Sequence, residues 1–304
     1  MTKTAKDGKL LSLITFLGGN MDTQLIKEFM LKTTREAGKV ALSRFGRHGN
    51  VDMKSHPLDL VSEADKSTNQ LFVKRINQAF PDHGIISEEF PTVGADNEVV
   101  WIIDPIDGTL NYIKGIPCWA IIVGVRINGQ MEMSCVYNPI MGEMYFAERG
   151  KGARRGLLRI QCSDQSELMY SVGLTNDSIS EQRLNFLDGL ESLVSWDFEP
   201  TETEQKRVIW ASSNGCTAIS CGWVADGRKD WYYCSGGGGI WDYEGTVFLL
   251  QESGCVVTSP DGSEWQHGNG PFIAANPTLH AKLVELFNDS NDFDDDLELD
   301  FGEF

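Results

Sequence analysis

Residues 101–115 read WIIDPIDGTLNYIKG, an apolar run ending in two aspartates three positions apart and a Gly-Thr pair. Carboxylates carried into the end of a hydrophobic strand are costly to bury, so they sit there with a partner such as a cation, a metal or hydrogen-bond donors. A tight D-P-I-D turn offers Asp104, Asp107 and the intervening Ile106 carbonyl to one small volume. Hard dications such as Mg2+ take oxygen ligands at about 2.1 Å and keep several waters. Pro105 restricts its own φ and the conformation of Asp104, which holds such ligands ready. Gly108 lets the backbone approach a phosphate, and the Gly108 and Thr109 N–H groups can point at its oxygens.

Outward from this turn, the acids worth attention all fall where a strand or helix begins or ends. HGIISEEF reads as a short strand delivering Glu88 and Glu89, and Asp65 opens an amphipathic helix over 65–80 carrying Leu71, Val73, Ile76 and Phe80. Asp242 opens a helix over 241–254. Such junctions at the ends of sheets are where α/β proteins place ligands. An earlier helix spans 22–47, with apolar positions Leu25, Phe29, Leu31, Ala37, Val40 and Leu42. CWAIIVGVRING and QMEMSCVYNP alternate as a hairpin around Asn128-Gly129, and EMYFAERGKGARRG adds a strand and a glycine-punctuated turn. GKGARRG lacks the Gly-Lys-Ser/Thr of a phosphate loop, so it reads as a turn.

Further on come a looser stretch at 163–210 with a helix at 180–195, then a helix in TAISCGWVADG and a strand in KDWYYC. SGGGG reads as a loop beside the site, 255–258 and 271–274 as strands, and 277–287 as a closing helix. The pattern is that of an α/β (α+β) chain: an extension at 1–20 expected to be disordered, subdomains at 21–155 and 156–288, and an acidic segment at 289–304 expected to be disordered.

The 41% hydrophobic and 23% charged residues are those of an ordinary globular protein. A net charge of −18 argues against nucleic-acid binding, which needs clustered Lys and Arg. Residues 289–304, DSNDFDDDLELDFGEF, contribute eight acids and no base, and −10 remains without them. An acidic protein acting on a phosphate ester must supply positive charge locally, and metal ions do so. No stretch approaches the ~20 apolar residues that span a bilayer. LLSLITFL (10–17) follows lysines but has no small-residue cleavage site after it. Seven cysteines without a C-x-x-C point to free thiols and a cytoplasmic setting, and the five histidines show no metal spacing.

WIIDPIDGTLNY together with WDYEG (241–245) resembles the signatures of the inositol monophosphatase family, with MKSHPLDLVSEAD, IISEE and YNPIMGEMYFAERGKGA in the family's order between about 22 and 287. The resemblance implies a layered αβαβα sandwich, a small phosphorylated substrate, two or three Mg2+ per site, lithium sensitivity and a homodimer. It places Glu88, Asp104 and the Ile106 carbonyl on one Mg2+, Asp104, Asp107 and Asp242 on a second, and Glu88 on a loosely held third. Asp65 would hydrogen-bond Thr109, whose hydroxyl, with Glu88, orients and activates a water. Asp107, Gly108, Thr109, Cys216, Thr217 and Ser235 would face phosphate or substrate, with Lys54 in support.

The departures lie on the substrate side. Where a sugar-binding acid is expected before Asp242 stand Cys234, Ser235 and four glycines; the Arg-Ser-x-Gly stretch is Ser212-Ser213-Asn214-Gly215; a small pair is Glu244-Gly245. Inositol monophosphate is therefore the first expectation, beside a 3'(2'),5'-bisphosphate nucleotidase, a histidinol- or sugar-phosphate phosphatase, and a partner-binding regulator on the same fold. A haloacid-dehalogenase D-x-D-G-T nucleophile is a poorer match, because its acids are two apart and its first acid attacks phosphorus.

Overall fold

A computed structural model describes residues 23–46, 51–53, 60–176, 210–266, 268 and 270–291. The extension at 1–20, Lys54, the helix expected at 180–195 and residues 292–304 lie outside the described residues.

Helix α1 (Thr23–Leu42) and helix α2 (Glu63–Ala79) form the first layer, with a short β1 (Val51–Met53) and β2 (Leu60–Ser62) pair between them. The buried stripe of α1 is Ile26, Met30, Thr33, Thr34, Ala37, Gly38 and Ala41. That differs from the expected set: Leu25, Phe29 and Leu31 are only partly buried and Leu42 is exposed. The inward face follows the i, i+3/i+4 rows, and small residues occupy it because α1 lies close on the sheet. A Cβ on Gly38 would come within 2.5 Å of the Tyr137 ring.

The second layer is an eight-stranded sheet in the order β10-β9-β8-β7-β6-β5-β3-β4. Its strands are β3 (Gly84–Ser87), β4 (Phe90–Val93), β5 (Val99–Asp107), β6 (Ala120–Ile127), β7 (Gln130–Asn138), β8 (Glu143–Glu148), β9 (Gly152–Arg155) and β10 (Leu158–Ile160). Every pairing is antiparallel except β3 with β5. Asn128 and Gly129 turn β6 into β7 with φ of 51° and 79°, the left-handed pair a two-residue hairpin requires. β5 is buried along its whole length, which explains its near-continuous apolar sequence. Trp101 and Ile103 pack toward α1 and α2, while Val100 and Ile102 face the other way.

Helix α3 (Thr109–Lys114) follows β5 directly. Helices α4 (Thr217–Ala225) and α5 (Ile240–Glu252) form the third layer, packed between the two sheets in the largest apolar cluster. The fourth layer is a five-stranded sheet, β12-β11-β13-β15-β14, made of β11 (Val172–Thr175), β12 (Trp210–Ser212), β13 (Trp231–Cys234), β14 (Val256–Thr258) and β15 (Phe272–Ala275). Helix α6 (Pro277–Asn291) closes the fifth layer over Trp231, Tyr233 and Ile273, opened by Asn276, whose Oδ1 accepts the Thr278 and Leu279 N–H groups. The architecture is the expected αβαβα sandwich.

Two polar contacts tie α5 to the first sheet. The Gly150 and Gly152 N–H groups of the GKG turn donate to Glu252 at 3.0 and 2.9 Å. The anion held by that turn is thus one of the chain's own carboxylates. Glu244, two residues after Asp242 and so on the opposite face of α5, is 1% exposed and takes a bidentate contact from Arg126 on β6, at 2.5 Å from Nε. The acid that replaces a small residue therefore faces the sheet, where Arg126 offsets its burial.

Arg126→Ala removes the bidentate cationic partner of buried Glu244, so urea unfolding is expected to show a loss of about 3–5 kcal/mol. The double replacement Arg126→Met with Glu244→Leu is expected to recover most of it.

Candidate active site

In a regular strand, residues three apart point to opposite faces. β5 escapes this at its end. Asp104 pairs with Ile122 and Asp107 with Ala120, so three steps on β5 match two on β6. The single extra residue is a bulge that restores parity and brings both carboxylates to one side. The Asp104 Oδ1 accepts the Ile106 N–H at 2.9 Å, which fixes the bend. Gly108 then takes φ +84°, and a Cβ there would lie 3.0 Å from the Cys118 carbonyl oxygen. Only glycine fits both demands.

The second half of the chain supplies the remaining parts through helix N-termini. Asp242 is the third residue of α5, and its Oδ2 accepts the Gly239 N–H at 2.5 Å, capping the helix it belongs to. Asp107 does the same for α4 from a distance, with Oδ2 accepting the Ala218 N–H at 2.6 Å and the Cys216 thiol at 2.9 Å. Asn111 binds the layers further, its Nδ2 donating to the Cys118 and Asn214 carbonyls at 2.7 Å each.

Asp104, Asp107 and Asp242 meet with ligand oxygens all within 4.8 Å of one another. Asp104 is 1% exposed. Burial, reinforced by Glu88, Asp242 and Asp107, holds its carboxyl well above the usual range. Burial also pushes Asp242 up to about 8, with Asp107 adding to it. Asp107 reaches only about 6, because the Cys216 and Ala218 hydrogen bonds favour its anion against the burial. Three acids crowded in a dry corner repel one another unless positive charge enters.

The other expected residues are placed as follows. Glu88 is partly buried at the end of β3, with its N–H on the Ile103 carbonyl at 3.2 Å, and its charge contributes to raising all three aspartates. Asp65 is fully buried at the start of α2. The Thr109 hydroxyl lies 3.0 Å from the Ile106 carbonyl and 3.5 Å from Asp65 Oδ1. Cys216 has its thiol on Asp107, and burial pushes that thiol well up. Thr217 Oγ1 is 3.3 Å from the Tyr232 hydroxyl. Ser235 donates both its N–H and its hydroxyl to Asn176 Oδ1, at 3.0 and 3.1 Å.

Sequence reasoning missed Asn176 and Tyr243. Asn176 also donates to the Gly236 carbonyl at 3.3 Å, and the Tyr243 hydroxyl accepts the Gly238 N–H at 2.7 Å. Together they anchor a glycine loop whose Gly236 and Gly237 take φ of 84° and 95°. No local signal marks Asn176, while Tyr243 adjoins Asp242 and was within reach. His83 and His280 are structural: His83 accepts the Trp101 indole N–H at 3.0 Å and His280 meets Thr258 at 3.0 Å. None of the seven cysteines forms a disulfide, and all seven lie among the described residues.

An oxygen-donor cluster at the end of one sheet, capped by helices that pack against a second, is a centre of the kind that holds hard dications. The inositol monophosphatase family model matches residues 22–292, and the chain belongs to that family. It is 31% identical over 277 residues to inositol monophosphatase 1 of Solanum lycopersicum, covering 86% of this chain and 94% of the relative. The Nus factor SuhB of Pasteurella multocida is 28% identical over 257 residues, 84% of this chain and 92% of that protein. The solved inositol monophosphatase of Thermotoga maritima superposes with a TM-score of 0.77 at 28% identity, over 90% of this chain and 99% of that one.

Because the folded pKa values of Asp107 and Asp242, about 6 and 8, lie above the unfolded value of 3.8, the folded state binds more protons between those limits. The metal-free protein is therefore expected to lose stability as pH rises from 4 through 8. Asp104→Asn is expected to raise its melting temperature by a few degrees at pH 8 and to abolish the stabilisation that Mg2+ gives the parent protein. Scanning calorimetry with and without Mg2+ checks both.

Proposed function

We propose that this chain is a Mg2+-dependent phosphomonoesterase acting on inositol monophosphate or a similar small polyol phosphate. One observation carries the reading: Asp104, Asp107 and Asp242, from distant parts of the chain, offer oxygens within 4.8 Å of one another, the first two buried and Asp242 partly so. The donor set fits Mg2+, being all oxygen, desolvated and mutually repelling. Glu88, Asp104 and the Ile106 carbonyl would hold one ion, Asp104, Asp107 and Asp242 a second, with Glu88 leaning on a third. When bound, the ions neutralise phosphoryl oxygens, lower the pKa of water and steady the leaving alkoxide.

The chain's own residues divide the remaining work. Glu88 takes the proton of the attacking water. Thr109 orients that water, its hydroxyl hydrogen drawn toward Asp65 and the Ile106 carbonyl so that an oxygen lone pair stays available. The Gly108 and Thr109 backbone and Thr217 line the phosphate side. Cys216 is no nucleophile, since its buried thiol is spent on Asp107. Water attacks phosphorus in line, without a phosphoenzyme.

On the alcohol side, Ser235 is held by Asn176 where a carboxylate is expected. A hydroxyl grips a ring hydroxyl less selectively than a carboxylate does. Bisphosphate nucleotides, histidinol phosphate and sugar phosphates therefore stay among the substrates to try. Lithium inhibition, a homodimer and a cytoplasmic location belong to the same reading. A partner-binding role on the same fold is a second reading, favoured by the Nus factor among the relatives.

A phosphate-release screen over these esters is expected to show turnover that depends on added Mg2+. Asp242→Asn is expected to lower it at least about 100-fold, ~3 kcal/mol of barrier, with circular dichroism unchanged. Full activity in that variant would remove the cluster from catalysis.

A further inference from the structure

Two residues beyond β10 the chain meets the C-terminal end of α5, and two thiols come together there. The Cys162 N–H donates to the carbonyl of Ser253, the residue that caps α5, at 3.0 Å. Gly254 takes φ +94°, and a Cβ there would stand 3.7 Å from the Cys162 sulfur. The turn after α5 therefore packs directly against that sulfur. Cys255 comes next, its N–H on the Leu250 carbonyl at 3.0 Å and its thiol donating toward the Cys162 sulfur. The Ser253 hydroxyl lies 3.7 Å from the Cys255 sulfur. Asp242 opens the same helix, so the thiols sit roughly 15–20 Å along α5 from the carboxylates.

The two sulfurs are not equivalent. Cys162 is partly exposed and Cys255 is buried. The hydrogen bond from Cys255 favours the Cys162 thiolate and holds its pKa below the usual thiol value, against the effect of partial burial. The same bond, together with burial, pushes the Cys255 thiol well up. One member is thus an accessible thiolate and the other a shielded proton donor. Four further thiols are inert by comparison: burial pushes Cys135 up to about 12, Cys234 up to about 11, and Cys216 and Cys221 well above their usual value. The thiolate is the nucleophile, so reactivity follows thiolate character and access. An accessible cysteine of lowered pKa beside a second thiol is the arrangement that oxidises reversibly.

We propose that Cys162 and Cys255 form an oxidisable dithiol, which hydroperoxides convert to a disulfide joining the chain after β10 to the end of α5. The Cys162 thiolate attacks a peroxide oxygen; an S–O bond forms, the O–O bond breaks, and the departing hydroxide takes a proton from solvent. The Cys255 sulfur then attacks the sulfenic sulfur. An S–S bond forms, the S–O bond breaks, and the Cys255 proton leaves with the oxygen as water. Two thiols are oxidised and one hydrogen peroxide is reduced to two waters. The Ser253 hydroxyl steadies the charge on Cys255 as its proton departs. In a reducing compartment such a bond is transient and reports oxidant.

Reduced full-length protein, treated with one equivalent of hydrogen peroxide near pH 7 and then alkylated, tests this by peptide mapping without reductant. A linked pair of peptides holding Cys162 and Cys255 is expected in monomeric protein, and dithiothreitol is expected to separate them. In Cys255→Ala the sulfenic acid has no thiol to resolve it. Cys162 of that variant is expected to take at least about tenfold more dimedone than Cys162 of the parent protein. The mapping of the parent needs no variant, so it decides the matter even where Cys255→Ala folds poorly. Peroxide that oxidises Cys118 while Cys162 and Cys255 stay reduced would overturn the proposal. So would Cys162 recovered only in disulfides between two chains, which is the behaviour of a solitary exposed thiol.

Discussion

Repulsion among buried carboxylates is the constraint on which this molecule turns. Asp104, Asp107 and Asp242 gain nothing from their mutual proximity in a metal-free protein, and burial raises the cost. The fold holds them there by spending backbone donors. Ile106 serves Asp104, Ala218 serves Asp107 and Gly239 serves Asp242. Two of those donors belong to the first turns of helices, where the dipole favours negative charge. Strain of this kind is characteristic of functional sites, which keep local conflicts that packing elsewhere must outweigh.

That outweighing is visible in the layers. α5 carries Asp242 at its first turn and is buried almost throughout its length between the sheets. Its register on the first sheet is set by Gly245 against Ile122 and Gly124, by Glu244 on Arg126 and by Glu252 on the GKG turn. α4 meets Asp107 with the Ala218 amide of its first turn. The site is therefore a property of the packing between the two sheets and belongs to neither half alone.

The same economy appears in polar residues around the carboxylate cluster. The GKG turn binds an anion, but that anion is Glu252. Cys216 reaches the site, yet its thiol is a donor to Asp107 and its pKa moves away from reactivity. Glu244 departs from the small residue expected there, and the departure is absorbed by an arginine on the neighbouring strand. In each case the partner lies about 100 residues or more away in sequence, beyond what local pattern can reveal.

The sequence by itself determined the order of elements, the alternation and helical periods behind them, and the junctions at which the acids sit. Those are local matters, governed by propensity, capping and the period of side-chain direction. It also carried two spaced signatures, which led to the family and so to the layered fold. It misjudged the inward face of α1, where threonines, a glycine and alanines are buried while Leu42 is exposed, because close approach to β7 selects for size more than for apolarity. Only the tertiary structure decided by what means aspartates three apart share a side, which is a bulge against β6. It also decided how closely Asp242 approaches them, and that Asn176 and Tyr243 brace the glycine loop. The reason is that a bulge depends on the neighbouring strand, and convergence depends on how two sheets pack across the helices between them.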